Sequence, residues 1–357
     1  MNVLVRVDAS AKIGSGHLMR CLALARGLAT RGASVRFAMR DLAPAMLDMV
    51  TPEFPVLLLP ARYESETEEG AAGSLVPWLD DLEAVERALG GEPVDWCIVD
   101  HYGLDATWEE GAHSFAQRLM VIDDLANRSH AAELLLDQNL TANDGAYADL
   151  VPSHCKQLLG PSYALLRDEF GEYEERYPER PVRRVLVNFG GADPTGETMK
   201  VLDALQGLSG VAVEVVAGKA NPSWQAVRDR CQDKGWQACH HVDDMAARMR
   251  QADIAVGAGG TTTWERASTG LPTICIAVAA NQIANAQLMA EQGAQLYLGR
   301  SAEVTVPVIA VALRKLVEDA DLRISMAQLS RRLVDGHGVD RACTALFAID
   351  AGRTGSP

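Results

Sequence analysis

Val3-Leu4-Val5-Arg6-Val7-Asp8, followed after a short gap by Gly14-Ser15-Gly16-His17, is the stretch that decides the fold. The first six residues read as a strand, and a helix opens at His17. The two glycines permit a sharp turn and the close approach of a ligand. A helix start presents backbone N–H groups without intrahelical partners, which suits an anion. An imidazole there, beside a negatively charged leaving group, is a candidate general base. The partial positive charge of the helix start favours the neutral ring that a base requires. A histidine at a helix start is equally readable as a capping or packing residue.

Outward from this turn the pattern is β-α-β. Leu18, Cys21, Leu22, Ala25 and Leu28 fall on one helical face, Gly32 ends the helix, and Ser34 to Met39 is the next strand. Asp95–Asp100, Leu119–Asp123 and Glu133–Leu136 are further short strands, and Arg62–Ser74 reads as an acidic, glycine-bearing loop. The charged stretch Arg167–Arg184 is the best linker, with a solvated surface helix as its alternative. The pattern then restarts with a strand at Val185–Phe189, the turn Gly190-Gly191, and a helix near Glu197–Leu205. Strands at Val211–Ala217, Ile254–Val256 and Thr273–Val278 follow. Such alternation predicts an α/β fold with parallel sheets. The expected architecture is two Rossmann-like domains, 1–178 and 179–357, facing each other across a cleft. Ligands of such sheets bind beyond the strand C-termini, where His17, Gly190 and Gly260 all lie.

Gly14-x-Gly16 invites a dinucleotide reading, but Met19 stands where a third glycine belongs. Asp41 follows Arg40 instead of closing the second strand. No glycine loop is followed by Gly-Lys-Ser/Thr, so a P-loop is unsupported. Gly257-Ala258-Gly259-Gly260-Thr261, with Thr262-Thr263-Trp264-Glu265 after it, is the stronger motif. Glycines followed by hydroxyls at a helix start suit a diphosphate, and Glu265 one turn on can accept from both ribose hydroxyls. As the bland alternative, Glu265 is a favourable first-turn acid. Asn281-Gln282, after a strand, can read a base or sugar or can cap the following helix. Asp100-His101-Tyr102-Gly103 closes another strand; Tyr102 can stand beside a substrate, while Asp100 ties the loop. Asp123-Asp124 resembles a metal pair, but adjacent carboxylates also organise loops, and the nearby histidines lack zinc spacing. Cys239-His240-His241 with Cys231 likewise has no finger-like spacing.

Composition bounds these readings. The 357 residues carry a formal net charge of −15 and are 48% hydrophobic, enough for a sizeable core. That charge disfavours nucleic acid and anionic membrane surfaces, which need clustered Lys and Arg. The seven cysteines form no C-x-x-C pair, as expected of a reduced, cytoplasmic protein. No signal peptide is expected, because a strand is read almost from Met1. The longest apolar run, near Thr273–Ala280, is too short to span a bilayer.

Arg6-Val7-Asp8-Ala9-Ser10 through Ile13-Gly14-Ser15-Gly16-His17 and Arg20 resembles the N-terminal signature of a known family. Its members are the UDP-2,4-diacetamido-2,4,6-trideoxy-β-L-altropyranose hydrolases of pseudaminic acid biosynthesis, the PseG and SpsG-like type. Asp100-His101-Tyr102-Gly103, Gly160-Pro161-Ser162-Tyr163-Ala164-Leu165-Leu166-Arg167, Gly190-Gly191-Ala192-Asp193, Glu265 and Asn281-Gln282 extend the resemblance to about Gly299. The second-half motif is shared with MurG-like glycosyltransferases. The resemblance implies a GT-B fold with UDP held mainly by the C-terminal domain. It implies that His17 is the catalytic base, with Tyr102, Glu265, Asn281 and Gln282 as substrate contacts; the glycine turns add Gly14, Gly16, Gly190, Gly260 and Thr261 as expected substrate-binding residues. It also implies hydrolysis at C1 with inversion, releasing UDP and a free sugar for nonulosonic acid biosynthesis and flagellin glycosylation. No metal or cofactor, no membrane insertion and a monomeric state are expected. The competing readings are a MurG-like glycosyltransferase, a non-catalytic UDP-sugar-binding protein and a hydrolysing 2-epimerase. Asp335-Gly336-His337-Gly338 reads as a turn before a closing helix.

Overall fold

Parallel strands can be joined only by crossovers, and the chain supplies a helix for most of them. The computed structural model describes residues 1–8, 16–40, 44–60, 77–143, 145–172 and 179–351. Gly14 and the expected loop Arg62–Ser74 lie outside these residues. The chain divides into two units, Met1–Leu166 with His337 onward, and Arg167–Gly336.

The first unit runs β1 (Asn2–Val7), α1 (Gly16–Ala29), β2 (Ser34–Met39), α2 (Pro44–Val50), β3 (Val56–Leu58), α3 (Trp78–Leu89), β4 (Val94–Asp100), α4 (Ala106–Ala112), β5 (Ala116–Ile122), β6 (Leu134–Asp137) and β7 (Lys156–Leu159). Among the described residues its strands form a seven-stranded parallel sheet in the order β3-β2-β1-β4-β5-β6-β7. β1 lies between β2 and β4, with Val3 opposite Val35 and Trp96, and Val7 opposite Asp100. Helices cover both faces, so β1 is buried from Val3 to Val7. α1 packs Leu18, Cys21, Leu22, Ala25 and Leu28 into the core, and Gly32 supplies the left-handed φ of +86° that ends it.

The second unit runs β8 (Arg184–Asn188), α5 (Glu197–Leu205), β9 (Ala212–Ala217), α6 (Trp224–Lys234), β10 (Gln237–His240), α7 (Met245–Gln251), β11 (Ile254–Ala258), α8 (Thr262–Ser268), β12 (Thr273–Ala277), α9 (Ile283–Glu291), β13 (Leu296–Arg300), α10 (Val306–Glu318) and α11 (Ala320–Leu333). Its sheet, again parallel, has the order β10-β9-β8-β11-β12-β13 among the described residues. Val185, Val187, Val213, Val215, Ile254, Val256, Ile274 and Ile276 form the centre of its core.

The expected division at 178 is displaced in two ways. The first unit ends at Leu166, and Phe170, inside the expected linker, is already buried in the second. The last helix, α12 (Gly338–Ala351), returns to the first unit instead of closing the second. The reason is packing: Val339, Ala342, Cys343, Ala345 and Leu346 complete the core around α1. Gly27 makes the approach possible, since a Cβ there would lie 2.3 Å from Val339 Cγ1. Arg31–Asp340 and Arg118–Asp350 add ion pairs at the two ends of the helix. The Asp335–Gly338 turn is where the chain re-enters the first unit. Among the described residues, no helix is long and apolar enough to cross a membrane.

Each sheet reverses its strand order once, between β1 and β4 in the first unit and between β8 and β11 in the second. The crevice outside the strand ends at such a point is where open α/β sheets take ligands.

Candidate active site

In the first unit the reversal point is occupied by ionisable side chains. His17 is the second residue of α1 and is 8% exposed. Its Nδ1 lies 2.6 Å from Oδ1 of Asp100, which ends β4 beside the end of β1. Burial by itself would raise the pKa of Asp100. The Arg20 charge, helped by His17, outweighs it and holds the carboxyl well below the usual carboxylate range. Arg20 donates from Nε and Nη2 to the two Asp100 oxygens, each at 2.6 Å. Nδ1 has two neighbours, the Asp100 oxygen, which only accepts, and Arg20 Nη2, which only donates and lies farther off at 3.0 Å; a ring proton on Nδ1 directed at the closer carboxylate leaves the lone pair on Nε2. The arrangement is an imidazole oriented by a buried carboxylate.

Tyr102 stands edge-on to the imidazole, with ring centroids 4.6 Å apart. Burial raises the pKa of its phenol, and the neighbouring Asp124, to which it is hydrogen-bonded, adds to the shift. Asp124 also accepts from Arg20 Nη1 at 2.9 Å. His17, Arg20, Asp100, Tyr102 and Asp124 are therefore one hydrogen-bonded and packed cluster. Asp123 faces elsewhere, accepting from Arg128, the backbone of Leu125 and Ala126, and the Tyr147 hydroxyl.

A second network beside it ties the strand ends. Arg6 donates to Asp8 at 2.5 and 2.9 Å and to Asp81 at 2.7 and 3.1 Å, and Arg40 joins Asp81 at 3.0 Å. His101 accepts from the Gly103 N–H on Nδ1 and directs Nε2 at Asp8, 3.2 Å away. All five side chains are buried. The signature residues Arg6 and Asp8 thus serve to fix the ends of β1, β2 and β4.

In the second unit Gly190 turns the chain after β8 with a φ of +79°. Gly257 lies where a Cβ would come within 2.5 Å of the Asn188 carbonyl oxygen. Gly260 and Thr261 remain part-exposed just before α8, which is only seven residues long. The Gln282 carboxamide oxygen accepts from the N–H of Gly259 at 3.2 Å and of Val278 at 3.0 Å. It thereby ties the loops after β11 and β12, and its NH₂ remains the end nearest Gly260. Asn281 is exposed on the adjoining turn.

The Glu265 side chain is 14% exposed, with Oε1 3.8 Å from Nη2 of Arg167. Burial pushes its carboxyl up, and Arg167 and Arg266 pull it back. Gly260, Thr261, Glu265 and Gln282 therefore gather at the ends of β11 and β12, and Gly190 lies at the end of β8, the strand beside β11.

The pairing of Asp100 with His17 is not visible in sequence, because 83 residues separate them and only the strand order makes them neighbours. Arg20 is placed three residues after His17, a spacing that puts both on one helical face.

Residues 187–335 match the family described as Glycosyltransferase family 28 C-terminal domain. The spore coat polysaccharide biosynthesis protein SpsG of Bacillus subtilis is 26% identical over 356 residues, 97% of this chain and 98% of that one. The UDP-2,4-diacetamido-2,4,6-trideoxy-β-L-altropyranose hydrolase of Campylobacter jejuni is 27% identical over 225 residues, 62% of this chain and 72% of that one. Among solved structures, MurG of Acinetobacter baumannii superposes with a TM-score of 0.66 at 16% identity, covering 96% of this chain and 98% of that one. The chain has the GT-B fold, and its second half matches the glycosyltransferase family 28 C-terminal domain.

Proposed function

We propose that the chain hydrolyses a UDP-linked 2,4-diacetamido-2,4,6-trideoxyhexose at C1, releasing UDP and the free sugar with inverted configuration. The observation that carries this reading is the 2.6 Å contact between His17 Nδ1 and a buried, Arg20-held Asp100. With the ring proton on Nδ1, Nε2 is the base in this reading. The Campylobacter hydrolase supplies the substrate class.

In the reaction, Nε2 takes a proton from water as the water oxygen bonds to C1. The bond from C1 to the UDP oxygen breaks, and its electron pair leaves with UDP. Asp100 stabilises the imidazolium that forms and is not itself protonated. UDP is a good leaving group, so base and positioning suffice. Backbone donors around Gly190, Gly260 and Thr261 take the diphosphate. Glu265 accepts from the ribose hydroxyls, Asn281 and the Gln282 NH₂ contact the substrate, and Tyr102 borders the sugar beside the base. Gly14 and Gly16 let the substrate approach closely. The free sugar would serve nonulosonic acid biosynthesis.

The family 28 match favours a second reading, transfer of the sugar to an alcohol. A Shewanella oneidensis N-acetylglucosamine transferase acting on pyrophosphoryl-undecaprenol is 30% identical over 198 residues, 47% of this chain and 53% of that one. The test is incubation with the UDP-diacetamido sugar, without acceptor, followed by UDP release. Hydrolysis predicts turnover that His17→Ala abolishes. Release that requires an added alcohol acceptor would select transfer.

A further inference from the structure

Beneath the second unit's glycine loop lies a charge that the reaction above does not use. Arg266, the second residue after Trp264 on α8, is 2% exposed. Its Nη2 donates to the Ala258 carbonyl at 2.6 Å and to Thr263 Oγ1 at 3.2 Å, and its Nη1 donates to Thr262 Oγ1 at 3.0 Å. Its Nε is buried without a partner. A Cβ on Gly257 would come within 2.7 Å of its Nη1, so the guanidinium is pressed against the end of β11 where the loop begins.

Among the described residues Arg266 forms no salt bridge; Glu265, next to it in the chain, acts on it through charge without an ion-pair contact, and lies 3.8 Å from Arg167, which is itself 2.9 Å from Glu169. The side chain also faces Cys275, whose thiol burial pushes up to about 11 and so keeps neutral. Burial is the main influence on the guanidinium and lowers its pKa. A buried cation without a carboxylate is costly in a folded protein, and Arg retains its charge where Lys would shed it. Every hydrogen bond Arg266 makes goes to a neutral oxygen of the glycine loop or of α8's first turn. α8 has seven residues, so its own dipole is short. A fixed charge behind the loop does the work that a longer helix would do, and a water-poor setting strengthens it.

We infer that Arg266 is a positioning residue whose buried charge, held against the loop without an ion-pair contact, keeps the Gly257–Thr261 loop electropositive, so that the loop takes a nucleoside diphosphate in preference to the bare nucleoside. This rests on the UDP-sugar reading above. The diphosphate adds a counter-charge from the far side of the loop without touching the guanidinium.

The test compares UDP with uridine by calorimetry in wild type, Arg266→Gln and Arg266→Lys, with the fold checked by circular dichroism. The glutamine variant should lose about 10- to 100-fold in UDP affinity and less than about 3-fold for uridine, the scale expected of one lost charge interaction. The lysine variant should keep more of the preference at about pH 6 than at about pH 9, because a buried ammonium sheds its proton below its ordinary range. The wild type should hold its preference over that range. If lysine and glutamine are equally impaired at every pH, Arg266 is a strut whose fork geometry matters and whose charge does not, and the inference fails. It fails also if neither variant changes the UDP-to-uridine ratio. Should the glutamine variant not fold, the pH dependence of the lysine variant decides alone. A wild type that binds neither ligand would overturn the UDP-sugar reading itself, an outcome distinct from these.

Discussion

Asp100→Asn isolates what the buried carboxylate contributes to His17. The substitution is close to isosteric, so packing around Cys21 and Arg20 changes little. What changes is charge and proton placement. At 2.6 Å the ring nitrogen is within a charge-assisted hydrogen bond of the carboxylate, and the interaction grows as the ring becomes imidazolium. Losing a hydrogen bond to a charged group costs about 1.5–3 kcal/mol, or about 10- to 150-fold in rate. The amide adds a second loss. It can present an N–H to Nδ1, which would put the ring proton on Nε2 and remove the base. Together these predict a fall in kcat of about 10²–10⁴-fold, the range for a lost general base. UDP affinity should change less than about 3-fold, since the diphosphate and ribose groups are assigned to the second unit. Arg20 loses half of its bidentate partner, and thermal stability should drop by about 1–3 kcal/mol. The assays are coupled detection of UDP release, calorimetry with UDP, and a thermal melt. A variant that keeps kcat within about 3-fold while folding normally would show that Asp100 does not orient the base, and the mechanism built on His17 would fall with it.

Three further outcomes are expected. Glu265→Ala should weaken UDP binding about 10- to 150-fold and abolish discrimination against 2′-deoxyuridine diphosphate; equal discrimination by both proteins would remove Glu265 from the ribose. In H₂¹⁸O the label should enter the sugar and not UDP, and NMR should show the inverted anomer first; label in UDP would mean attack at phosphorus. Asp137 is pushed up to about 7, chiefly by burial, while Tyr147 donates its single hydroxyl proton between Asp123 and Asp137, 2.9 Å from each. With the folded pKa above the unfolded one, the folded state binds more protons between about pH 4 and 7. Stability is therefore lost as pH rises through that window, by at most about 4 kcal/mol. Asp137→Asn should flatten this part of the profile, and denaturant melts at pH 5 and 8 that match wild type at both would rule the carboxyl out.

The parallel fold was legible because strand and helix alternate twice and each strand is short and apolar. Gly14-x-Gly16-His17 and Gly257–Glu265 announced themselves by glycines before a helix, a local signal. Strand order is not local. β4 lies against β1 across a crossover, so Asp100, read as a loop tie, turned out to be the partner of His17. Arg266 was illegible for a different reason: an arginine in the first turns of a helix ordinarily points to solvent, and only the tight packing at Gly257 reveals it as buried. β7, β10 and β13, of four or five residues each, lack the length for a periodic signal. The division at 178 failed because composition marks a charged segment well and says nothing about which core claims the residues on either side.

The return of α12 has a consequence for synthesis. The second unit is an insertion, a guest carried between two parts of its host. Its residues leave the ribosome as one continuous stretch, so it can complete its core while the host still waits for Val339, Ala342 and Leu346. The first part to emerge is thus the last to close. A chain stopped after Gly336 should retain one cooperative transition, that of the guest, and leave the host open along the α1 face. Two intact transitions in such a chain would show that the host closes without its final helix.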